Sequence, residues 1–208
     1  MRELLRACSR SGVPVEEVEH RRLDRMAPDH HGVVAHIGPV QQIGERELSS
    51  WPFGPRDVVV MLDGVTDPQN LGAAARSAEA AGAVMLVSRV RRAAPLSQAA
   101  VRASAGSLLH LPHARVANLP RALDRLKGAG FTAIGLDGEA PQDIYRESCS
   151  RGRVALVLGS EGEGLSRLVR ERCDRLIRLP MLGKVASLNA SASLAAVLYG
   201  YVLPSRSP

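Results

Sequence analysis

The order of short apolar runs and alanine- or leucine-rich helical segments predicts an α/β domain with a mostly parallel sheet flanked by helices. Three observations carry this. Residues 58–62 (VVVML) and 154–158 (VALVL) are apolar at every position, as strands covered on both faces are. Strand and helix patterns alternate from residue 57 onward, the order that builds parallel sheets. A chain of 208 residues is long enough for one good core, or for one domain with a fragment attached.

Residues 1–43 are charged and rich in histidine. Helical spacing is expected at 2–9 and 15–26, and 32–37 (GVVAHI) reads as a strand. This piece is too short and polar to own a core. Residues 44–56 read as a linker, because GERELSSWPFGP mixes charge with Ser, Gly and Pro. Trp51 and Phe53 are expected to pin it by packing. The main domain then runs from 57 to 208. Strands are expected at 58–62, 84–88, 108–111, 131–136, 154–158 and 176–179. Helices are expected at 71–82, 96–105, 119–128, 165–173 and 188–203. The segment from 137 to 153 reads as a long loop.

Composition narrows the function classes. The formal net charge of +6 points to an anionic partner, of which nucleic acid is the usual one. Aromatic residues are only 3%, which argues against a module that reads bases by stacking. Contact with nucleic acid should therefore rest on Arg and Lys at phosphates. Cys8, Cys149 and Cys173 are odd in number and lack C-x-x-C spacing, as in a protein of a reducing compartment. His30-His31 has no zinc-type partners at useful spacing, so no metal is expected. The N-terminus shows no apolar leader and no apolar run spans a bilayer, so a cytoplasmic protein with no membrane contact is expected.

Ligands of such sheets gather at the carboxyl ends of strands, and three loops there carry unusual residues. The first, DGVTDPQN, follows 58–62; either Asp67 or Asn70 can cap the next helix, with Pro68 at an early position. Leu71, Ala74, Ala75, Ala78 and Ala81 form its apolar face, and Arg76 falls nearly opposite, open to a ligand or to solvent. The second is Gly159-Ser160-Glu161-Gly162-Glu163-Gly164. Its glycines allow close backbone approach, but its spacing fits neither a Walker loop nor G-x-G-x-x-G. Glu161 is placed to accept N–H groups of the loop or to act on a ligand. The third, around Gly183 and Lys184, ends at Ser187 and Asn189, which can cap the last helix or hold a ligand.

Together, Asn70-Leu71-Gly72 with Arg76, Leu158-Gly159-Ser160-Glu161-Gly162 with Gly164-Leu165, and Leu179-Pro180-Met181 with Gly183 and Ser187-Leu188-Asn189-Ala190-Ser191 resemble, in order and spacing, the three motifs of the SpoU family of RNA ribose 2′-O-methyltransferases. HHGVVAHI resembles the end of the RNA-binding domain of the subgroup that methylates a guanosine of large-subunit (23S) ribosomal RNA. The resemblance implies a deep C-terminal trefoil knot, S-adenosylmethionine as methyl donor, a homodimer, and an N-terminal remnant (1–43) of an RNA-binding domain. It implies that Leu158, Gly159, Ile177, Leu179, Met181, Ser187, Leu188 and Gly138 line the cofactor site. It implies catalytic roles for Asn70, Arg76, Glu161, Ser187 and Asn189. Arg76 would grip the target phosphate and stabilise alkoxide charge, and Glu161 would hold Asn70 or Arg76 in place. Ala190 stands where the family carries a larger aliphatic residue, which implies a change of packing only.

Two other readings remain beside this one: a transfer RNA methyltransferase of the same family, and an RNA-binding relative without catalysis. A nucleotide-dependent oxidoreductase is excluded by the first loop, which is not the glycine-rich turn that such a sheet needs.

Overall fold

The computed structural model describes residues 1–27, 30–146 and 148–205. The chain divides into two units, Met1–Pro39 and Val40–Pro208. The first carries α1 (Arg2–Arg10) and α2 (His20–Met26). The helix expected from residue 15 begins only at His20. Its N-cap Glu19 is extended, and Glu16 pairs with Arg22 from outside the helix at 2.6 Å. The strand expected at 32–37 does not form, since an isolated apolar run has no ladder without a partner.

The second unit carries β1 (Gln42–Ile43), α3 (Glu45–Ser50), β2 (Val58–Asp63), α4 (Pro68–Ala80), β3 (Met85–Arg89), α5 (Gln98–Ala103), β4 (His113–Val116) and α6 (Leu119–Gly128). It continues with β5 (Thr132–Leu136), β6 (Gln142–Asp143), β7 (Val154–Gly159), α7 (Arg167–Arg170), β8 (Arg175–Arg178) and α8 (Ala190–Val197). The strands form one sheet in the order β1-β4-β3-β2-β7-β5-β8-β6, and every recorded pairing is parallel.

The uniform apolar strands have a direct cause. Val58, Val60 and Leu62 point to a layer with α4 and α8, while Val59 and Met61 point to the opposite layer with α3 and α6. In β7, Val154, Leu156 and Leu158 face the first layer, and Ala155 and Val157 the second. Neither strand has a solvent face, so neither shows a period of two. Helices α4 and α5 pack closely at Gly72, where any Cβ would collide with the Ala100 carbonyl and with Ala103.

Residues 44–56 are not a plain linker. They carry α3, whose Leu48 is buried, and Trp51 and Phe53 pack on the α6 layer as expected. Phe53 meets Phe131 edge to face at 4.8 Å, and the Arg153 Nε–H donates to the Gly54 carbonyl at 2.8 Å.

Two other elements shift. Residues 107–109 form a 3₁₀ turn in place of the strand expected at 108–111, and β4 begins two residues after that segment. Leu108 and Leu111 are both buried at a spacing of three, which suits this turn; a short apolar run does not distinguish it from a strand. The helix expected at 165–173 is one turn, and the last helix passes at Leu198 into a wider turn ending in a 3₁₀ turn at Pro204.

His113 on β4 is fully buried, with Nε2 2.8 Å from the Ser88 hydroxyl. Burial, reinforced by the Arg115 charge, lowers its pKa from 6.5 to about 3. Below pH 6.5 the unfolded chain takes up a proton that the folded chain refuses, so this residue removes stability as pH falls from 6.5 towards 3. The slope is about 1.4 kcal/mol per pH unit, hence about 2 kcal/mol at pH 5. Urea denaturation at pH 7 and pH 5 should show this loss in the wild type, and His113→Gln should remove most of the difference.

Candidate functional site

Because all strands run in one direction, the loops after β2, β3, β5, β7 and β8 leave one edge of the sheet. The first loop is closed by Asp67. Its carboxylate accepts the Gln69 and Asn70 amides at 3.1 and 3.2 Å, capping α4 with Pro68 in the first turn. The cap is therefore Asp67, and the Asn70 side chain is released for other contacts.

Those contacts join the three motif loops. Asn189 Nδ2 donates to Asn70 Oδ1 at 2.9 Å, and Asn70 Nδ2 reaches Glu161 Oε2 at 3.5 Å. Asn189 also caps α8: its Oδ1 accepts from the Ser191 amide at 3.0 Å, the Ser191 hydroxyl at 2.6 Å and the Ala192 amide at 3.4 Å. Ser187, two residues earlier, makes no side-chain hydrogen bond to a described residue; it is exposed and lines the cleft described next. Arg76 stands six residues beyond Asn70 on α4, roughly 9 Å along the axis. It is exposed and pairs with no described residue. Glu161 thus holds Asn70 and not Arg76.

Beside this relay lies a cleft of about 610 Å³, within the range of small-molecule sites. Leu158, Gly159, Ile177, Leu179, Met181, Ser187, Leu188 and Gly138, the eight residues expected to line a cofactor site, all line it, as does Glu161. Asn70, Arg76 and Asn189 do not. Leu136, Leu158 and Ile177 give it apolar walls, and the glycine loop gives it exposed backbone. That loop is a tight knuckle. Ser160 and Gly164 exchange both amide hydrogen bonds at 3.0 Å, with Gly162 and Gly164 at positive φ. Gly159 must lack a side chain, because a Cβ there would overlap the backbone of Gly164 and Leu165.

A buried ion pair braces this knuckle. Asp63, 2% exposed at the end of β2, accepts from Arg89 Nη2 at 2.6 Å and from the Ser166 amide at 2.7 Å. Arg89 also donates to the Ser166 hydroxyl at 3.2 Å. The pair thus fixes the ends of β2 and β3 to the chain just after the glycine loop. Sequence reasoning missed it, although a carboxylate closing a wholly apolar strand was a usable signal, since a buried charge demands a partner.

Two other groupings lie elsewhere. A hollow of about 710 Å³ at α3, around Glu45 and Arg125, touches none of the motif loops. In the first unit, His20, Asp24 and His30 converge within 4.8 Å. The Gly32 amide donates to His30 Nδ1 at 2.7 Å, so Nε2 carries the proton and faces Asp24 at 3.1 Å. In that tautomer the ring has no lone pair left for a metal. Nor does Cys173 supply a nucleophile: burial first, with the nearby Asp174 charge, raises its thiol to about 12.

Comparison with known proteins agrees with this geometry. Residues 57–199 match the SpoU rRNA Methylase family. The chain is 40% identical over 191 residues to the 23S rRNA (guanosine-2′-O-)-methyltransferase RlmB of Photobacterium profundum, spanning 90% of this chain and 78% of that protein. Among solved structures, the SpoU methyltransferase AviRb from Streptomyces viridochromogenes in complex with AdoMet aligns with a TM-score of 0.70 at 31% identity. It covers 76% of this chain and 64% of AviRb. An AdoMet-bound rRNA methyltransferase from Sinorhizobium meliloti aligns with a TM-score of 0.71 at 27% identity, covering 77% of this chain and 61% of that one. With the family match spanning more than half of its length and its three motif loops joined by one hydrogen-bond relay beside the cleft, the chain belongs to the SpoU rRNA methylase family.

Proposed function

We propose that the chain transfers a methyl group from S-adenosylmethionine to a ribose 2′-hydroxyl of RNA, the target being a guanosine of 23S ribosomal RNA. The observation that carries this is the Glu161–Asn70–Asn189 relay standing at the rim of the cleft. The names of the relatives support the substrate and the donor. The cleft fits the donor: apolar walls suit a purine, and the bare backbone at 159–164 offers hydrogen bonds to its edges. S-adenosylmethionine supplies a methyl already attached to a leaving group, so no metal is needed.

The chain's own residues supply position and charge. Leu158, Gly159, Ile177, Leu179, Met181, Ser187, Leu188 and Gly138 would hold the donor. Asn70, held by Glu161 and Asn189, fixes the start of α4 and so the direction of Arg76. Arg76 grips a phosphate of the target and faces the 2′-oxygen as charge develops there. A guanidinium is in general always protonated, so it stabilises charge and does not act as base; the hydroxyl proton passes to a phosphate oxygen, and the new O–CH₃ bond would form as the donor's S–CH₃ bond breaks and leaves the neutral thioether.

The loop from β8 to α8 is the segment we assign to the trefoil knot. Support comes from its closing one wall of the cleft before α8 packs beside α4. The same loop exposes Leu182 at 98%, Val185 at 64% and Leu188 at 43%, an apolar surface suited to a second copy in a homodimer. Residues 1–43 are assigned to substrate RNA and 57–208 to catalysis, with the last three residues outside those described. Among the described residues no helix is long and apolar enough to cross a membrane; the ribosomal RNA substrate named for the relatives supports a cytoplasmic site of action. The test is a map of 2′-O-methylation across ribosomal and transfer RNAs of cells with and without the protein. Loss at one 23S guanosine is expected; loss only in transfer RNA would move the substrate, and no loss anywhere would leave an RNA binder.

A further inference from the structure

The positive charge of this protein is concentrated in one block. Residues 80–123 carry six arginines and neither Asp nor Glu, which accounts for the whole formal net charge of +6 and leaves the rest of the chain balanced. Within the block, the loop after β3 is unusually constrained. Arg115 donates to the Ala94 carbonyl from Nη1 and to the Val90 carbonyl from Nη2, both at 3.0 Å. The Val90 amide donates to the Val116 carbonyl and the Ala94 amide to the Val65 carbonyl, each at 2.9 Å. At its root, Arg89 is locked to Asp63 at 2.6 Å.

Between these anchors the chain holds Arg92 at φ +55°, left-handed backbone that a side-chain-bearing residue rarely adopts. Such backbone persists where the surroundings over-determine it, and it clusters at ligand clamps. Here the result is that Arg91 and Arg92 are both exposed, adjacent, and paired with no described residue. They leave the sheet at the edge that carries the motif loops, one strand from β2.

We propose that the β3–α5 loop is a rigid phosphate clamp, with Arg91 and Arg92 gripping the backbone of the substrate RNA beside the catalytic loops and Arg115 holding the loop in its gripping form. This rests on the RNA reading of the preceding subsection and adds the surface that receives the RNA. The ligand is the phosphodiester backbone, because paired guanidinium forks without aromatic neighbours recognise phosphate and not bases. A pinned loop places those forks without an ordering cost at each binding event.

The test uses the full chain, S-adenosylmethionine and 23S rRNA, and compares Arg91→Ala/Arg92→Ala with a charge-matched control, Arg46→Ala/Arg121→Ala on α3 and α6. The clamp variant should raise the KM for RNA at least tenfold. It should reduce the slope of log affinity against log salt by about 1.5, from two lost phosphate contacts. Affinity for S-adenosylmethionine and the melting temperature should hold, and the control should stay within twofold of wild type. Arg91→Lys/Arg92→Lys should restore most of the salt slope. Arg115→Met, which keeps both arginines and frees the loop, should raise the KM with little change of slope. An unchanged KM and slope in the clamp variant, or an equal effect in the control, overturns the proposal. Failure of the wild type to methylate any RNA overturns the functional reading and the proposal with it.

Discussion

Replacing Arg76 with alanine is expected to lower kcat about 10²- to 10³-fold, the usual loss when one donor to a developing oxyanion is removed. Affinity for S-adenosylmethionine should change less than about twofold, because Arg76 does not line the cleft. The fold should be unaffected: Arg76 lies on the exposed side of α4, opposite Leu71, Ala74, Ala75 and Ala78, which fill the core. Arg76→Lys keeps the charge and loses the planar fork, so it should recover less than a tenth of wild-type turnover. Steady-state methyl transfer at saturating RNA, with donor binding measured separately, distinguishes these outcomes. Near-normal turnover in the lysine variant would sink any role specific to the guanidinium.

Gly159→Ala should produce the opposite pattern, a loss of donor binding. The added methyl would overlap the Gly164 carbonyl group and the Leu165 amide nitrogen. These are backbone atoms, so the conflict is relieved only by moving the whole turn. That opens the paired Ser160–Gly164 hydrogen bonds and displaces six residues of the cleft wall, Gly159 to Gly164. Overpacking of this kind costs about 1–3 kcal/mol, and loss of the wall should weaken S-adenosylmethionine binding at least 100-fold. Calorimetric titration with the donor and a thermal melt separate the two effects. Gly128→Ala at the end of α6 is the matched comparison, because a Cβ there meets nothing within 4 Å, it lies outside the cleft lining, and affinity should stay near wild type.

The contrast between these two glycines marks what the sequence conveys. β2 and β7 were legible because burial on both faces removes every polar residue, a pattern few other elements share. α6 was read at its observed bounds, since Asn118 caps it and Ala129 and Gly130 turn out of it. The 3₁₀ turn at 107–109 and the single turn of α7 were misread, because short apolar segments do not declare their period. The cleft and relay residues came from the motif resemblance, and no local pattern supplies the relay: Asn70 meets Glu161 across 91 positions and Asn189 across 119. Whether Asp67 or Asn70 caps α4 was likewise open in the sequence. Asp67 decides it by taking the amides of α4, leaving Asn70 for the relay. Of the Asp63–Arg89 brace only the carboxylate was legible; its partner was not, because the pairing depends on strands β2 and β3 ending side by side.

The central claim is that this cleft serves methyl transfer to a ribose hydroxyl. The most direct measurement incubates the protein with 23S rRNA and methyl-labelled S-adenosylmethionine, digests the RNA to nucleosides and identifies the labelled one by mass. The account predicts a single labelled nucleoside, 2′-O-methylguanosine, lost with Arg76→Ala. Label on a base, or none at all, would contradict it.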